Sequence, residues 1–267
     1  MYNEGPKVKG LPVGNGTNSD PKADSGRGAP SSSNAGSHAE AASGRPHSRL
    51  VSARFYTTVA KLNQCPHLDL PEVAFAGRSN AGKSSAINKL CQRNRLAFSS
   101  KTPGRTQALN YFAVGPEDQP TGFLVDTPGY GYAAVPEAVK KQWQPLAGNF
   151  LRIRAPLVGM VLMVDCRREL TDKDLDLLDW VPEHVQRLIL ITKADKLGKN
   201  TAKQTLAKVT QQYQTAYPDL PAKFMLFSAS KGQGIEPARK LIESWLTPPD
   251  PWQQAASATP AADSATD

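Results

Sequence analysis

Gly77 is followed, after four residues, by Gly82-Lys83-Ser84 within the run Gly-Arg-Ser-Asn-Ala-Gly-Lys-Ser-Ser. Glycine at both turning points lets the backbone curl, so that the N–H groups of Arg78, Ser79, Asn80 and Ala81 converge on one anion. A helix opening at Lys83 would aim its positive end at the same place. Lys83 can reach terminal phosphates, and the Ser84 hydroxyl can bind Mg2+. The short apolar run Val73-Ala74-Phe75-Ala76 precedes the loop, and Ala86, Ile87, Leu90 and Cys91 recur after it at helical spacing. A loop between strand and helix is the context this chemistry needs, so the reading is a nucleotide phosphate site.

A phosphate loop does not choose between ATP and GTP. Thr192-Lys193-Ala194-Asp195 follows the apolar run Leu188 to Ile191. Alone, such a Lys/Asp pair is an ordinary helix cap. Two strand–helix units after a phosphate loop, the Asp195 carboxylate can accept hydrogen bonds from guanine N1 and N2, a donor pair adenine lacks. The stem of Lys193 can lie along the base. Phe227-Ser228-Ala229 follows a later apolar run, and its N–H near Ala229 can meet guanine O6. Asp126-Thr127-Pro128-Gly129 ends another such run; its carboxylate suits the outer shell of Mg2+, and the Gly129 N–H suits a γ-phosphate. Between these motifs, the Pro/Gly-containing segment Lys101 to Gln107 carries Thr106, a side chain able to close over Mg2+ while a γ-phosphate is present.

The elements that must position these residues alternate. Apolar runs at 73–76, 108–114, 123–125, 157–164, 188–191 and 223–227 predict six strands, and amphipathic stretches at 173–181, 199–216 and 237–245 predict helices between them. Alternation of this kind predicts an α/β fold with a mostly parallel sheet of about six strands, its ligands at the carboxyl ends. A further helical stripe, Val139, Trp143, Leu146 and Phe150, is core-like, with Pro145 expected to kink or split it.

Composition bounds the rest. Residues 1–50 and 248–267 are rich in Gly, Ser, Ala and Pro and poor in large apolar side chains, so both read as disordered tails around a domain at 51–247. The chain carries 32 Lys+Arg against 24 Asp+Glu, and the surplus lies in the middle, which is +9 where the whole is +8. A domain of that charge suggests a polyanionic partner, RNA or a ribosome rather than lipid. Apolar runs never reach the length of a membrane span, and no secretory leader is recognised. Cys65, Cys91 and Cys166 are odd in number and lack paired spacing, which fits a reducing cytosol and gives no zinc site.

Taken in order, Pro71 to Ser85, Lys101 to Gln107, Asp126 to Ala133, Val164 to Asp174, Thr192 to Asp195 and Phe227 to Gly234 resemble the EngB-type (YihA/YsxC) ribosome-assembly GTPases. These lie within the TrmE–Era–EngA–EngB–septin-like group. The resemblance spans about 53–246. It implies a three-layer P-loop GTPase domain, Mg2+ on Ser84 and Thr106, and a nucleotide flanked by Gly77 to Ser84, Gly104, Arg105, Thr106, Gln107, Ala108, Asp126 to Gly129, Thr192 to Asp195 and Phe227 to Ala229. Lys83, Thr106, Asp126 and Gly129 carry the hydrolytic roles. It further implies a cytoplasmic GTP/GDP-binding protein that helps mature the large ribosomal subunit and is attributed to cell division and septation; the subunit or its rRNA is the expected partner, with no DNA and no membrane. A monomer is expected.

Two departures refine this. Thr192 stands where Asn is commoner, which shortens its bracing of the phosphate loop. Tyr130 stands where many GTPases carry a water-orienting Gln, so unaided hydrolysis is expected to be slow. Asn80 matches the loop asparagine of potassium-activated relatives, making K+ a candidate activator. Two other readings stay open: an ATP-using P-loop enzyme, and an rRNA-binding scaffold whose nucleotide is structural.

Overall fold

The computed structural model describes residues 48–98, 108–131 and 146–247. Seven strands form one sheet: β1 (Arg54–Val59), β2 (Glu72–Gly77), β3 (Leu109–Val114), β4 (Gly122–Asp126), β5 (Leu157–Asp165), β6 (Gln186–Thr192) and β7 (Lys223–Leu226). Their order is β1-β3-β4-β2-β5-β6-β7. Only the β1–β3 and β3–β4 pairs are antiparallel. The helices are α1 (Lys83–Leu90), α2 (helical residues 146–153), α3 (Asp172–Asp179), α4 (Lys199–Ala216) and α5 (Ile235–Leu246).

Strands buried on both faces need apolar residues at every position, and the pleat sends alternate ones to opposite sides. Ala74, Ala76, Leu162, Ile189 and Ile191 join Tyr111, Phe123, Phe150 and Tyr213 in one core layer. Val73, Phe75, Val161, Leu188 and Leu190 join Ile87, Leu90 and Ile242 in the other. The result is a three-layer α/β domain. β2 has β4 on one side and β5 on the other, so the chain departs in opposite directions around it, opening a crevice beyond its carboxyl end.

The mostly parallel sheet, expected at about six strands, has seven among the described residues. β1 was missed because its six residues show no period-two burial: Phe55 and Tyr56 are both exposed, and the register with β3 shifts between Phe55 and Thr57. An edge strand with a bulge has no face to advertise. Leu50, in the segment expected to be tail, is fully buried. Val139, Trp143 and Pro145 lie outside the described residues; Leu146 and Phe150 of the same stripe are buried on α2. Among the described residues, no helix is long and apolar enough to cross a membrane.

Candidate functional site

The loop after β2 is shaped by two residues in left-handed backbone. Asn80 has φ 64° and Gly82, the N-cap of α1, has φ 98°. Such a conformation costs a non-glycine residue of order 1 kcal/mol and persists only where the surroundings impose it. Those surroundings are visible. The Ser79 N–H donates to the Tyr130 carbonyl at 2.8 Å, and the Tyr130 N–H donates to the Gly77 carbonyl at 3.3 Å. A Cβ added at Gly129 would stand 3.1 Å from Ser79 Cα, so glycine is what lets the 126–129 turn close against the loop.

Lys83 opens α1 and Asp126 ends β4. Their side chains form a direct ion pair, 12% and 4% exposed respectively, so two charges are stored almost out of water at the mouth of the loop. Thr127 turns its hydroxyl to the Phe75 carbonyl at 2.8 Å, fixing the turn to β2. Ser84 sits beside Lys83 on the first turn of α1, half-buried. Tyr130 points away: its hydroxyl donates to Asp174, which also caps α3 by accepting from the Thr171 N–H at 2.8 Å. Burial, followed by the Asp174 carboxylate, holds the Tyr130 phenol well above its ordinary pKa.

The segments at 192–195 and 227–230 meet at the far side of the same loop. The Ala194 N–H donates to the Phe227 carbonyl at 3.1 Å. Ser228 donates to the Asp195 carboxylate at 2.6 Å, and this bond is the main cause holding Asp195 below its ordinary pKa. Asp195 is therefore an anion with a fixed orientation. The Thr192 hydroxyl donates to the Ala81 carbonyl at 2.6 Å, with the Val164 carbonyl at 3.1 Å. Lys193, left-handed at φ 57°, donates from Nζ to the Asn80 carbonyl at 2.7 Å. The segment at 192–195 thus touches the loop after β2 at two successive residues.

Asp165, at the end of β5, was given no role by the sequence beyond its place in a matching stretch. Its carboxylate takes two bonds from the Arg167 guanidinium, at 2.9 and 2.7 Å, and the Lys193 ammonium at 2.9 Å. Arg167 first, then Lys193, keep it well below the ordinary carboxylate range. Cys166 Sγ donates to the Lys193 carbonyl at 3.0 Å. Lys193 is thus clamped at its backbone by Cys166 and at its ammonium by Asp165 and Asn80. The available signal was position alone, a carboxylate at the ligand-binding end of a central strand. A cavity of about 340 Å³ borders this group, with Ser79, Asn80, Asp165, Arg168 and Lys193 among its walls. Gly104, Arg105, Thr106 and Gln107 lie outside the described residues, while Ala108 precedes β3.

The family described as 50S ribosome-binding GTPase matches residues 72–194, from the start of β2 to just past the end of β6. A probable GTP-binding protein EngB of Ralstonia nicotianae is 48% identical over 228 residues, covering 81% of this chain and 97% of its own. Its counterpart in Burkholderia ambifaria is 52% identical over 204 residues, covering 74% and 93%. The chain belongs to the EngB family of GTP-binding proteins. A solved probable GTP-binding protein EngB superposes with a TM-score of 0.50 at 19% identity, covering 66% of this chain and 98% of that one. Era, solved with MgGDPNP and nucleotides 1506–1542 of 16S ribosomal RNA, superposes at 0.53 and 21% identity, covering 69% and 59%. At that identity the two structures speak for the P-loop GTPase fold, and the EngB relatives for the family.

Proposed function

We propose that this EngB-family chain is a GTP-dependent switch with slow, Mg2+-dependent hydrolysis, working in the cytoplasm on the large ribosomal subunit. The observation that carries the nucleotide reading is the pair of bonds from Thr192 and Lys193 to the Ala81 and Asn80 carbonyls. With phosphates in the loop from Gly77 to Ser84, one nucleotide spans that junction. Its base meets the stem of Lys193, and the oriented Asp195 carboxylate accepts from guanine N1 and N2. The Ala229 N–H serves O6, and Phe227 and Ala194 hold the two segments together.

Lys83 gives its charge to a phosphate oxygen in place of Asp126 when nucleotide enters, so the stored pair acts as a placeholder. An oxygen-only donor set, Ser84 with the buried Asp126 carboxylate close by and Thr106 from the 101–107 segment, suits a hard cation. When bound, Mg2+ neutralises charge on the β- and γ-phosphate oxygens. Gly129 offers its N–H to the γ-phosphate, with Thr127 and Pro128 fixing the turn, and Gly104, Arg105, Gln107 and Ala108 are carried over from the family as further nucleotide-flanking residues. Tyr130, its hydroxyl committed to Asp174, has nothing with which to orient attacking water, which supports slow unaided turnover. K+ bound near Asn80 would quicken the reaction; equal rates in Na+ and K+ remove that element.

Competition of ATP and GTP for a fluorescent GTP analogue tests the base site. GTP should win by on the order of 10⁴-fold, and equal competition overturns the assignment. The +9 middle of the chain supports an rRNA partner, and also favours a second reading in which ribosome binding ignores the nucleotide. Cosedimentation with large subunits separates them. The switch requires triphosphate, whereas the scaffold binds without it and weakens steeply with salt. The link to division and septation rests on family resemblance.

A further inference from the structure

At the amino ends of β2, β4 and β5, opposite the nucleotide site, lies an apolar groove of about 670 Å³. Its walls include Leu70, Pro71, Pro120, Pro156, Val158 and Trp245, with Thr247 at the rim. All six wall residues are only partly buried. Trp245 is laid flat on β5: a Cβ at Gly159 would come within 2.4 Å of its ring, so glycine there is what seats the indole. One face of the ring thus covers the strand while the side chain also forms part of the groove.

The chain itself supplies an occupant. Thr247 is the last residue described before the C-terminal segment, and residues 248–252 read Pro-Pro-Asp-Pro-Trp. Trp252 is the sole aromatic residue of 248–267. Proline-rich chain advances about 3.1 Å per residue, so Trp252 can sit up to roughly 15 Å from Thr247, within reach of a groove that Thr247 borders. Proline rings and a half-buried indole suit a second indole and further prolines, because flat, stiff apolar groups bury large area at little entropic cost. A segment tethered at the rim is present at an effective concentration of order millimolar, ahead of a free partner of similar affinity.

We propose that residues 248–252 fold back into this groove, with Trp252 packed among Pro71, Pro120, Val158 and Trp245. The tail then straps the end of α5 to the starts of β2, β4 and β5. The groove is remote from the loop at 77–84, so the strap and the nucleotide reading stand or fall separately.

The test uses the full chain without nucleotide. NMR of selectively labelled protein should show NOEs from the Trp252 indole to the methyls of Leu70 and Val158, and W252A should speed amide exchange at Val158 and Thr121 by about tenfold. W252F should keep most of the protection, and W252A should leave GTP affinity unchanged. Absent NOEs with exchange identical in W252A and the parent overturn the proposal. So do NOEs seen only between differently labelled copies, which would assign the groove to a second chain.

Discussion

The two ends of the parallel strands are built from opposite materials. At the carboxyl ends, charges stand in close pairs, buried for Lys83 with Asp126 and half-buried for Lys193 with Asp165, and non-glycine residues at 80 and 193 adopt left-handed backbone. At the amino ends, prolines and Trp245 form an apolar wall, and the charged groups kept there, Glu72 and Arg187, are buried. The Arg154 guanidinium straddles Glu72 at 2.6–3.1 Å and also reaches the Pro66 carbonyl at 2.7 Å. The first end holds charges that can be released to a ligand, and the second holds charges that can only be kept. Substitutions at one end should therefore change binding, and at the other, stability.

Lys83→Ala should break the first end most severely, lowering GTP affinity more than about 1000-fold in a protein that still folds, though less stably because the Asp126 carboxylate is left buried and unpaired. Retained micromolar affinity would rule out the phosphate loop. Arg154→Ala should do the reverse. Leaving Glu72 buried and unpaired costs about 3 kcal/mol of stability in denaturant titration, while the folded protein keeps its GTP affinity. Asp165→Asn should sharpen the contrast further by loosening Lys193. We expect about a tenfold loss of GTP affinity and a smaller loss for a nucleotide already unable to use Asp195, such as ATP; an equal loss for both would make Asp165 merely structural.

The smallest effect concerns pH. Asp165 and Asp195 both lie below their ordinary pKa, so their charges persist through the usual carboxylate range and are lost only as pH falls through their own lowered pKa. As far as these two carboxylates decide it, GTP affinity should stay flat from about pH 8 down to about pH 4 and decline only below that. A midpoint near pH 6 would point to another titrating group.

What could be read from the residues follows the same division. Motifs at the carboxyl ends are local in sequence, so the loop at 77–84 and the turns at 126–129 and 192–195 were visible as spacing. The core strands were visible because both of their faces are buried. Partnerships between distant segments were not. Nothing near Asp165 announces Lys193, 28 residues on, and nothing near Tyr130 announces Asp174. The amino end stayed silent because Leu70, Pro71 and Trp245 look like ordinary loop and helix residues until the sheet brings them together. β1 stayed silent because a bulged edge strand carries no alternation.

The direct test is the base preference of Asp195→Asn. Titration calorimetry of GTP and xanthosine triphosphate against the parent and the variant measures whether Asp195 faces the same nucleotide whose phosphates lie at Gly77 to Ser84. A site shared in this way predicts that the parent prefers GTP and the variant prefers xanthosine triphosphate, because the substituted amide donates where the carboxylate accepted. Unchanged GTP preference in a folded variant would contradict it and place the base elsewhere.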